Sequence, residues 1–228
     1  MFAGVDEAGK GAVLGPLVVA CVGCESEEDL AAIPVRDSKT LSPAARTDLF
    51  GRIQESVHYT VLVITAEEID IRRRSMTMNQ LMAAAHAEVI RELHPATAYV
   101  DACDVVAARF GRAVAARIGY PCRVIARHHA DATIPVVSAA GIVAKVVRDR
   151  LIGELAGEYG VIGSGYPSDD TTIAFMEAYI GENGRPPPIA RTSWETTRQI
   201  LGRAGQTDLS FFCGERQAPG HSPDPGSP

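Results

Sequence analysis

Phe2-Ala3-Gly4-Val5-Asp6-Glu7-Ala8-Gly9-Lys10-Gly11 begins as a short apolar run, meets two adjacent carboxylates and breaks into glycine. Phe2 to Val5 has the pattern of a strand, and Leu14 to Val22, rich in β-branched residues, has the pattern of a second. The Gly9-Lys10-Gly11 turn joins them as a pair. Successive side chains on a strand point to opposite faces, so Asp6 and Glu7 reach one site only where the strand ends or bulges. Two neighbouring anions repel, and a divalent cation relieves that repulsion. An ordinary acidic turn has the same dipeptide, and the pair alone does not choose between the two readings. Gly4 to Lys10 also imitates the glycine–lysine pattern of a phosphate-binding loop. Gly11 stands where that loop needs a hydroxyl, too few residues precede Gly4 for a feeding strand, and Asp6 and Glu7 would repel the phosphates.

Outward from this stretch, strands alternate with helices. Ser42-Pro43 starts a helix to about Ser56, with Ser as N-cap and Pro in the first turn. Val57 to Ile64 is a strand. Residues 66 to 93 read as one helical region with Met78, Met82, Ala85 and Val89 on a stripe. Thr97 to Val100 is a strand delivering Asp101, Val105 to Ile118 a helix, and Cys122 to Ala126 a strand. The longest helix covers residues 134 to 158, with Val137, Ala140, Ala144, Val147 and Leu151 on an apolar face and Ser138, Gly141 and Lys145 on another. After the glycine-rich turn Gly163 to Pro167 come helices from about Ser168 to Tyr179 and Ser193 to Leu201. This is an α/β class with a helical appendage. From Gly214 the chain is rich in Pro, Gly and Ser, the composition of a disordered end.

Further carboxylates stand at element ends. Asp101 closes its strand, a position suited to chemistry, whereas Asp104 suits the cap of the next helix. Asp131 follows Arg127-His128-His129 just before the longest helix. Asp149 has Lys145 four residues earlier as an ion-pair partner. Cys21-Val22-Gly23-Cys24 lacks a second cysteine pair or a histidine at ligand spacing, so it reads as two small residues near a strand end and not as half a zinc site.

The chain has 228 residues, 46% of them hydrophobic, enough for one core with a small appendage. The expected division is a catalytic domain over 1–160, a helical segment packed on it over 161–204, and a flexible tail over 205–228. No apolar stretch is long enough to cross a bilayer, and Asp6 follows Met1 too closely for a signal peptide, so a cytoplasmic monomer is expected. Five scattered cysteines argue against a disulfide framework. The net charge of −6 argues mildly against nucleic-acid binding, though acids gathered in a metal site inflate it.

The motifs together resemble ribonuclease HII in its archaeal branch, which is similar to the catalytic subunit of the eukaryotic enzyme. The resemblance rests on Gly4 to Gly11, Arg36-Asp37-Ser38-Lys39 with Leu41, and Tyr99-Val100-Asp101-Ala102. It continues through His128 to Asp131, Ser138-Ala139-Ala140 with Ala144-Lys145-Val146, and Gly163-Ser164-Gly165-Tyr166-Pro167-Ser168-Asp169, in order over about residues 2 to 200. It implies a ribonuclease H-like fold: a mixed central sheet flanked by helices, with a C-terminal helical segment. It implies cleavage of the RNA strand of RNA–DNA hybrids, and of DNA with embedded ribonucleotides, to 3′-hydroxyl and 5′-phosphate ends. The acids it assigns to magnesium or manganese are Asp6, Glu7, Asp101 and Asp131. The allocation expected is Asp6 bridging two metals, with Glu7 and Asp101 on one and Asp131 on the other.

For substrate, the resemblance implies that the backbone of Gly9, Lys10 and Gly11 approaches the ribose, Tyr166 packs on the sugar, and Lys39, Ser138 and Lys145 contact phosphates. Three positions depart from the family pattern: Lys10 where Arg is usual, Gly141 where Ser often stands, and His129 where Lys is common. The competing classes are another nuclease or strand-transfer enzyme of the same fold and a nucleic-acid-binding module with a dead site. Finally, Gln206-Thr207-Asp208-Leu209-Ser210-Phe211-Phe212 resembles a sliding-clamp-binding peptide through Gln206, Leu209, Phe211 and Phe212, with only Ser210 between the aliphatic and aromatic positions where two residues are usual.

Overall fold

The computed structural model describes residues 1–35 and 42–213, with backbone alone over 205–213. Strand β1 (Phe2–Ala8) pairs antiparallel with β2 (Leu17–Cys24), and β2 antiparallel with β3 (His58–Ile64). On its other edge β1 runs parallel to β4 (Thr97–Asp101), and β4 parallel to β5 (Arg123–Arg127). The order β3-β2-β1-β4-β5 is the mixed sheet the sequence reading anticipates. Strand β2 is buried at every position, which explains its unbroken apolar run: an interior strand covered on both faces has no polar side to show.

Helices α1 (Pro43–Ser56), α2 (Ala66–Arg73), α3 (Met78–Leu93) and α4 (Ala107–Ile118) alternate with the later strands, and α5 (Ala130–Thr133), α6 (Pro135–Tyr159), α7 (Asp170–Asn183) and α8 (Glu195–Cys213) follow β5. The long α6 packs across one face of the sheet beside α1, where Val137, Ala140 and Ala144 meet Val18, Ala20 and Val22. Helices α3 and α4 cover the other face, where Leu81, Ala85, Val89 and Phe110 meet Val5, Leu17 and Val19. A third cluster joins Val13, Leu14 and Ile152 to Ile162, Met176, Ile180 and Ile200, fastening the C-terminal helices to the loop after β1. Gly4 makes the tight β1–α6 crossing possible: a Cβ there would lie 2.4 Å from the Val136 carbonyl carbon.

Three element boundaries and the burial of one helix differ from expectation. The helical region over 66–93 is two helices, because Thr77 opens a new N-terminus: its hydroxyl accepts the Gln80 N–H at 3.3 Å and the Gln80 side chain accepts the Thr77 N–H at 2.8 Å. Leu14 does not belong to β2. Gly15, at φ +76°, turns the chain, and Leu14 instead bridges Ala190 in the C-terminal segment. Helix α6 is buried well beyond its apolar stripe, Ser138 being 1% exposed. The last helix continues past Leu201 to Cys213, so the backbone of Gln206, Leu209, Phe211 and Phe212 is helical where a flexible tail is expected. Residues 214–228, and Lys39 with the rest of 36–41, lie outside the described residues.

Candidate metal centre

The β1–β4 register pairs Val5 with Val100, so the next step brings Asp6 beside Asp101 at the carboxyl ends of two parallel strands. The chain then leaves β5 and turns at His129, with φ +55°, into α5, which carries Asp131 in its first turn. Asp101 Oδ1 accepts the Ala130 N–H at 2.8 Å and ties that turn to the end of β4. Ser138, from α6, donates its hydroxyl to the Asp131 carbonyl and to the Ile134 carbonyl. Ser138, expected at a phosphate, is buried, and its hydroxyl is engaged with the Asp131 turn.

No bulge gathers Asp6 and Glu7. The β1–β2 ladder runs unbroken through Glu7↔Val19 and Ala8↔Val18, so the alternation of a strand holds. Asp6 points to the α6 side, where a Cβ on Gly141 would come within 2.4 Å of its Oδ2. Glu7 points to the α3 side. There His86 Nε2 lies 3.3 Å from Glu7 Oε2, and the Cys103 thiol donates to Glu7 Oε1 at 3.1 Å. A carboxylate only accepts, so the His86 proton sits on Nε2. The two carboxylates nevertheless line one cavity of about 270 Å³, at whose walls Asp131, Gly141, Lys145 and Tyr166 also stand.

The electrostatics follow from this placement. Burial first, then the charges of Glu7, Asp101 and Asp131, hold the Asp6 carboxyl well above the ordinary aspartate value, against the lowering effect of the Glu7 N–H that it accepts. Burial also opposes ionisation of Glu7, but the His86 hydrogen bond, with Cys103 and the Lys10 cation, brings it below its ordinary value. A buried set of hard carboxylate oxygens that repel one another fits a hard divalent cation, which would supply the missing charge.

Around the cavity, Gly9 sits at φ +88° and its N–H donates to the Tyr166 hydroxyl at 3.0 Å. The Arg148 guanidinium lies 4.6 Å from the Tyr166 ring centroid and donates to the Ser164 carbonyl at 3.1 Å. Arg191 donates to the Lys10 carbonyl at 3.2 Å and twice to that of Gly15, at 3.1 and 3.0 Å. Lys10 Nζ donates to the Cys103 carbonyl at 3.2 Å, and Gly11 is exposed. Lys145 donates to Asp149 at 2.7 Å, the ion pair read from their spacing. Asp104 does not cap the next helix, whose N-cap is Val106: it lies two residues earlier, accepts the Val106 N–H at 3.1 Å and pairs with Arg109.

His86, Cys103, Arg148 and Arg191 are the residues that the sequence reading misses. The only local signal for His86 is a polar residue within an apolar helical stripe, and nothing local announces the buried arginines.

The ribonuclease HII family model matches residues 3–197. A ribonuclease HII of Methanoregula boonei is 53% identical over 212 residues, spanning 93% of this chain and 100% of its own length. The crystal structure of ribonuclease H2 from Pyrococcus horikoshii is similar with a TM-score of 0.84 at 43% identity, over 90% of this chain and 99% of that one. A structure of the PCNA:RNase HII complex from Archaeoglobus fulgidus is similar with a TM-score of 0.83 at 42% identity, over 88% and 96% of the two chains. Since the likeness runs through nearly the whole chain, from β1 into the C-terminal helices, the chain belongs to the ribonuclease HII family and is an endonuclease with ribonuclease H activity on RNA–DNA hybrids.

Proposed function

We propose that Asp6, Glu7, Asp101 and Asp131 hold magnesium or manganese. With it the enzyme cuts both RNA tracts and lone ribonucleotides in DNA, leaving 3′-hydroxyl and 5′-phosphate ends. The observation that carries this reading is the raised Asp6 carboxyl, surrounded by the charges of the other three and opening on a cavity. The bound cation supplies Lewis-acid activation of water and charge stabilisation at the leaving oxygen. The chain's residues supply position. Asp101 anchors the Asp131 turn through Ala130, and Ser138 braces it from α6.

Tyr166 and the Gly9-Lys10-Gly11 loop read the sugar. The Tyr166 hydroxyl accepts the Gly9 N–H and so retains its own proton for donation to a ribose 2′-hydroxyl. Arg148 against the ring keeps Tyr166 upright at the cavity wall. Lys145, half-exposed beside Asp149, and Lys39 bind backbone phosphates as point charges. An assay with three duplexes tests the reading: one lone ribonucleotide, one all-RNA strand and one pure DNA, each with and without magnesium or manganese. The expected result is metal-dependent cutting of the first two. Cutting of pure DNA, or cutting without metal, would refute it.

The enzyme acts as a cytoplasmic monomer in ribonucleotide excision and replication, and helix α8 carries a contact to the sliding clamp through Gln206, Leu209, Phe211 and Phe212. The support is the peptide resemblance together with the clamp complex formed by the similar Archaeoglobus fulgidus protein. A short docking peptide raises the local concentration of the nuclease on replicating DNA. Full-length protein should bind the homologous clamp, and a version ending at Gly205 should not, with cleavage intact. Equal affinity of the two would refute the contact.

A further inference from the structure

Glu7 stands between two donor sets of opposite softness. On the α6 side of β1 are the carboxylates of Asp6, Asp101 and Asp131. On the α3 side are an imidazole nitrogen and a thiol. Glu7, His86 and Cys103 each offer one ligand atom, and these atoms lie within 4.8 Å of one another, with contacts of 3.3 Å to His86 and 3.1 Å to Cys103. Tetrahedral zinc, with bonds of roughly 2.0–2.3 Å, sets its ligand atoms about 3.3–3.8 Å apart. Glu7 meets His86 through Oε2 and Cys103 through Oε1, so one carboxylate brings an oxygen, a nitrogen and a sulfur donor together within 4.8 Å, a spread that a small side-chain adjustment closes to those spacings.

We propose that Glu7, His86 and Cys103 form a second cation site, for a thiophilic divalent ion of the zinc type, which shares Glu7 with the carboxylate centre. An oxygen, nitrogen and sulfur set selects zinc over magnesium. Charge balance favours occupancy: one carboxylate and one thiolate neutralise a divalent ion, and the imidazole stays neutral. Binding breaks the Cys103 S–H bond, forms a sulfur–metal bond and releases the proton to solvent. The His86 proton moves from Nε2 to Nδ1. That exchange breaks no hydrogen bond other than the one to Glu7, because Nδ1 is buried without a partner. The ring is fully buried and packs edge-on against Phe110 with centroids 5.2 Å apart, so Nε2 is held in place towards the site. An ion bound there keeps the Glu7 carboxylate on the α3 side and withdraws it from the magnesium centre, so zinc inhibits the enzyme.

Titration of the full chain with cobalt(II), without magnesium, tests the site directly. A thiolate-to-cobalt charge-transfer band is expected in the near ultraviolet, and zinc should abolish it at one equivalent. The Cys103→Ser protein, with an unchanged circular dichroism spectrum, should lack the band, and so should His86→Gln. Asp6→Asn, which disables the carboxylate centre, should retain it. Absence of the band in the unmodified protein, its survival in Cys103→Ser, or its loss in Asp6→Asn would each overturn the proposal.

A second arm rests on the catalytic reading above. At saturating magnesium, half-inhibition by zinc should require a concentration higher for Cys103→Ser than for the unmodified enzyme by roughly tenfold to a hundredfold or more. Equal inhibition of the two would overturn the withdrawal of Glu7. Because the cobalt band needs no substrate, failure of the site and failure of the catalytic reading are distinguishable.

Discussion

Asp6 is buried among like charges, a position that destabilises the protein until a cation arrives. Asp6→Asn should abolish cleavage and, in chelator, raise the melting temperature, because an amide removes one charge from the repelling set; magnesium should then no longer stabilise the protein. A thermal melt with and without magnesium checks both halves, and a metal-free variant less stable than the unmodified protein would contradict the account. Asp101→Asn should also lose cleavage, whereas Asp104→Asn should keep it, since Asp104 is engaged with the Val106 N–H and Arg109. The pH dependence has a definite sign. The folded state holds the Asp6 proton more tightly than the unfolded chain, so this contribution stabilises below the ordinary aspartate value and fades as pH rises through the raised one. Asp104 and Asp169, both held at about 2 chiefly by hydrogen bonds to Arg109 and Ser164 respectively, act oppositely, losing their contribution as pH falls below the aspartate range. Magnesium should therefore shift the melt most at neutral pH and little in acid. Tyr166→Ala should hurt cleavage at a lone ribonucleotide more than within an RNA tract, which offers many sites to engage; an equal loss on both would reduce Tyr166 to a packing residue.

Among the elements, the crossing of β1 and α6 does most to position the centre. Asp6 has room only because α6 presents Gly141 to it, and the strand comes that close only because Gly4 has no side chain against Val136. Gly4→Ala should force the two apart and cost roughly 1–3 kcal/mol or more of stability, read from denaturant unfolding. The same substitution at Gly51, inside α1 where an added Cβ meets nothing within 4 Å, should stabilise by up to about 1 kcal/mol and serves as the control. The α2–α3 break shows how periodicity misleads. The stripe Met78, Met82, Ala85 and Val89 belongs wholly to α3, yet the polar turn Arg74–Thr77 before it was absorbed into one long helix. The Thr77–Gln80 capping box was the local signal that separates them.

The whole molecule is held by a tie between its N-terminal loop and its C-terminal segment. Leu14 pairs with Ala190, Gly15 N–H donates to the Ile189 carbonyl at 2.9 Å, and Arg191 holds the carbonyls of Lys10 and Gly15. Burial and the neighbouring Arg148 lower the Arg191 guanidinium to about 9, a cost that these three carbonyl bonds offset. A chain ending at Gly160 would lose this tie and expose Val13, Leu14 and Ile152. It should lack the near-ultraviolet dichroism and cooperative melting of the full protein; a cooperatively folded fragment would show that the first 160 residues stand alone.

Much of this was legible from local pattern. The alternation of apolar runs, the Ser42-Pro43 start and the acids at strand ends carried the α/β class, because these signals depend on neighbours a few residues apart; the mixed sheet came with the family resemblance. The Asp6-Glu7 motif with Asp101 and Asp131 named the proposed metal ligands through its resemblance to ribonuclease HII. What the local pattern did not carry was the direction each carboxylate takes and the company it keeps. Glu7 meets His86 and Cys103, 79 and 96 residues away, and Lys10 meets Arg191 at a separation of 181. Those contacts exist because β1 lies inside the sheet with a helix on each face, so strand alternation sends adjacent acids to opposite layers. Only the packing of α3, α6 and the C-terminal segment determines what waits for them there.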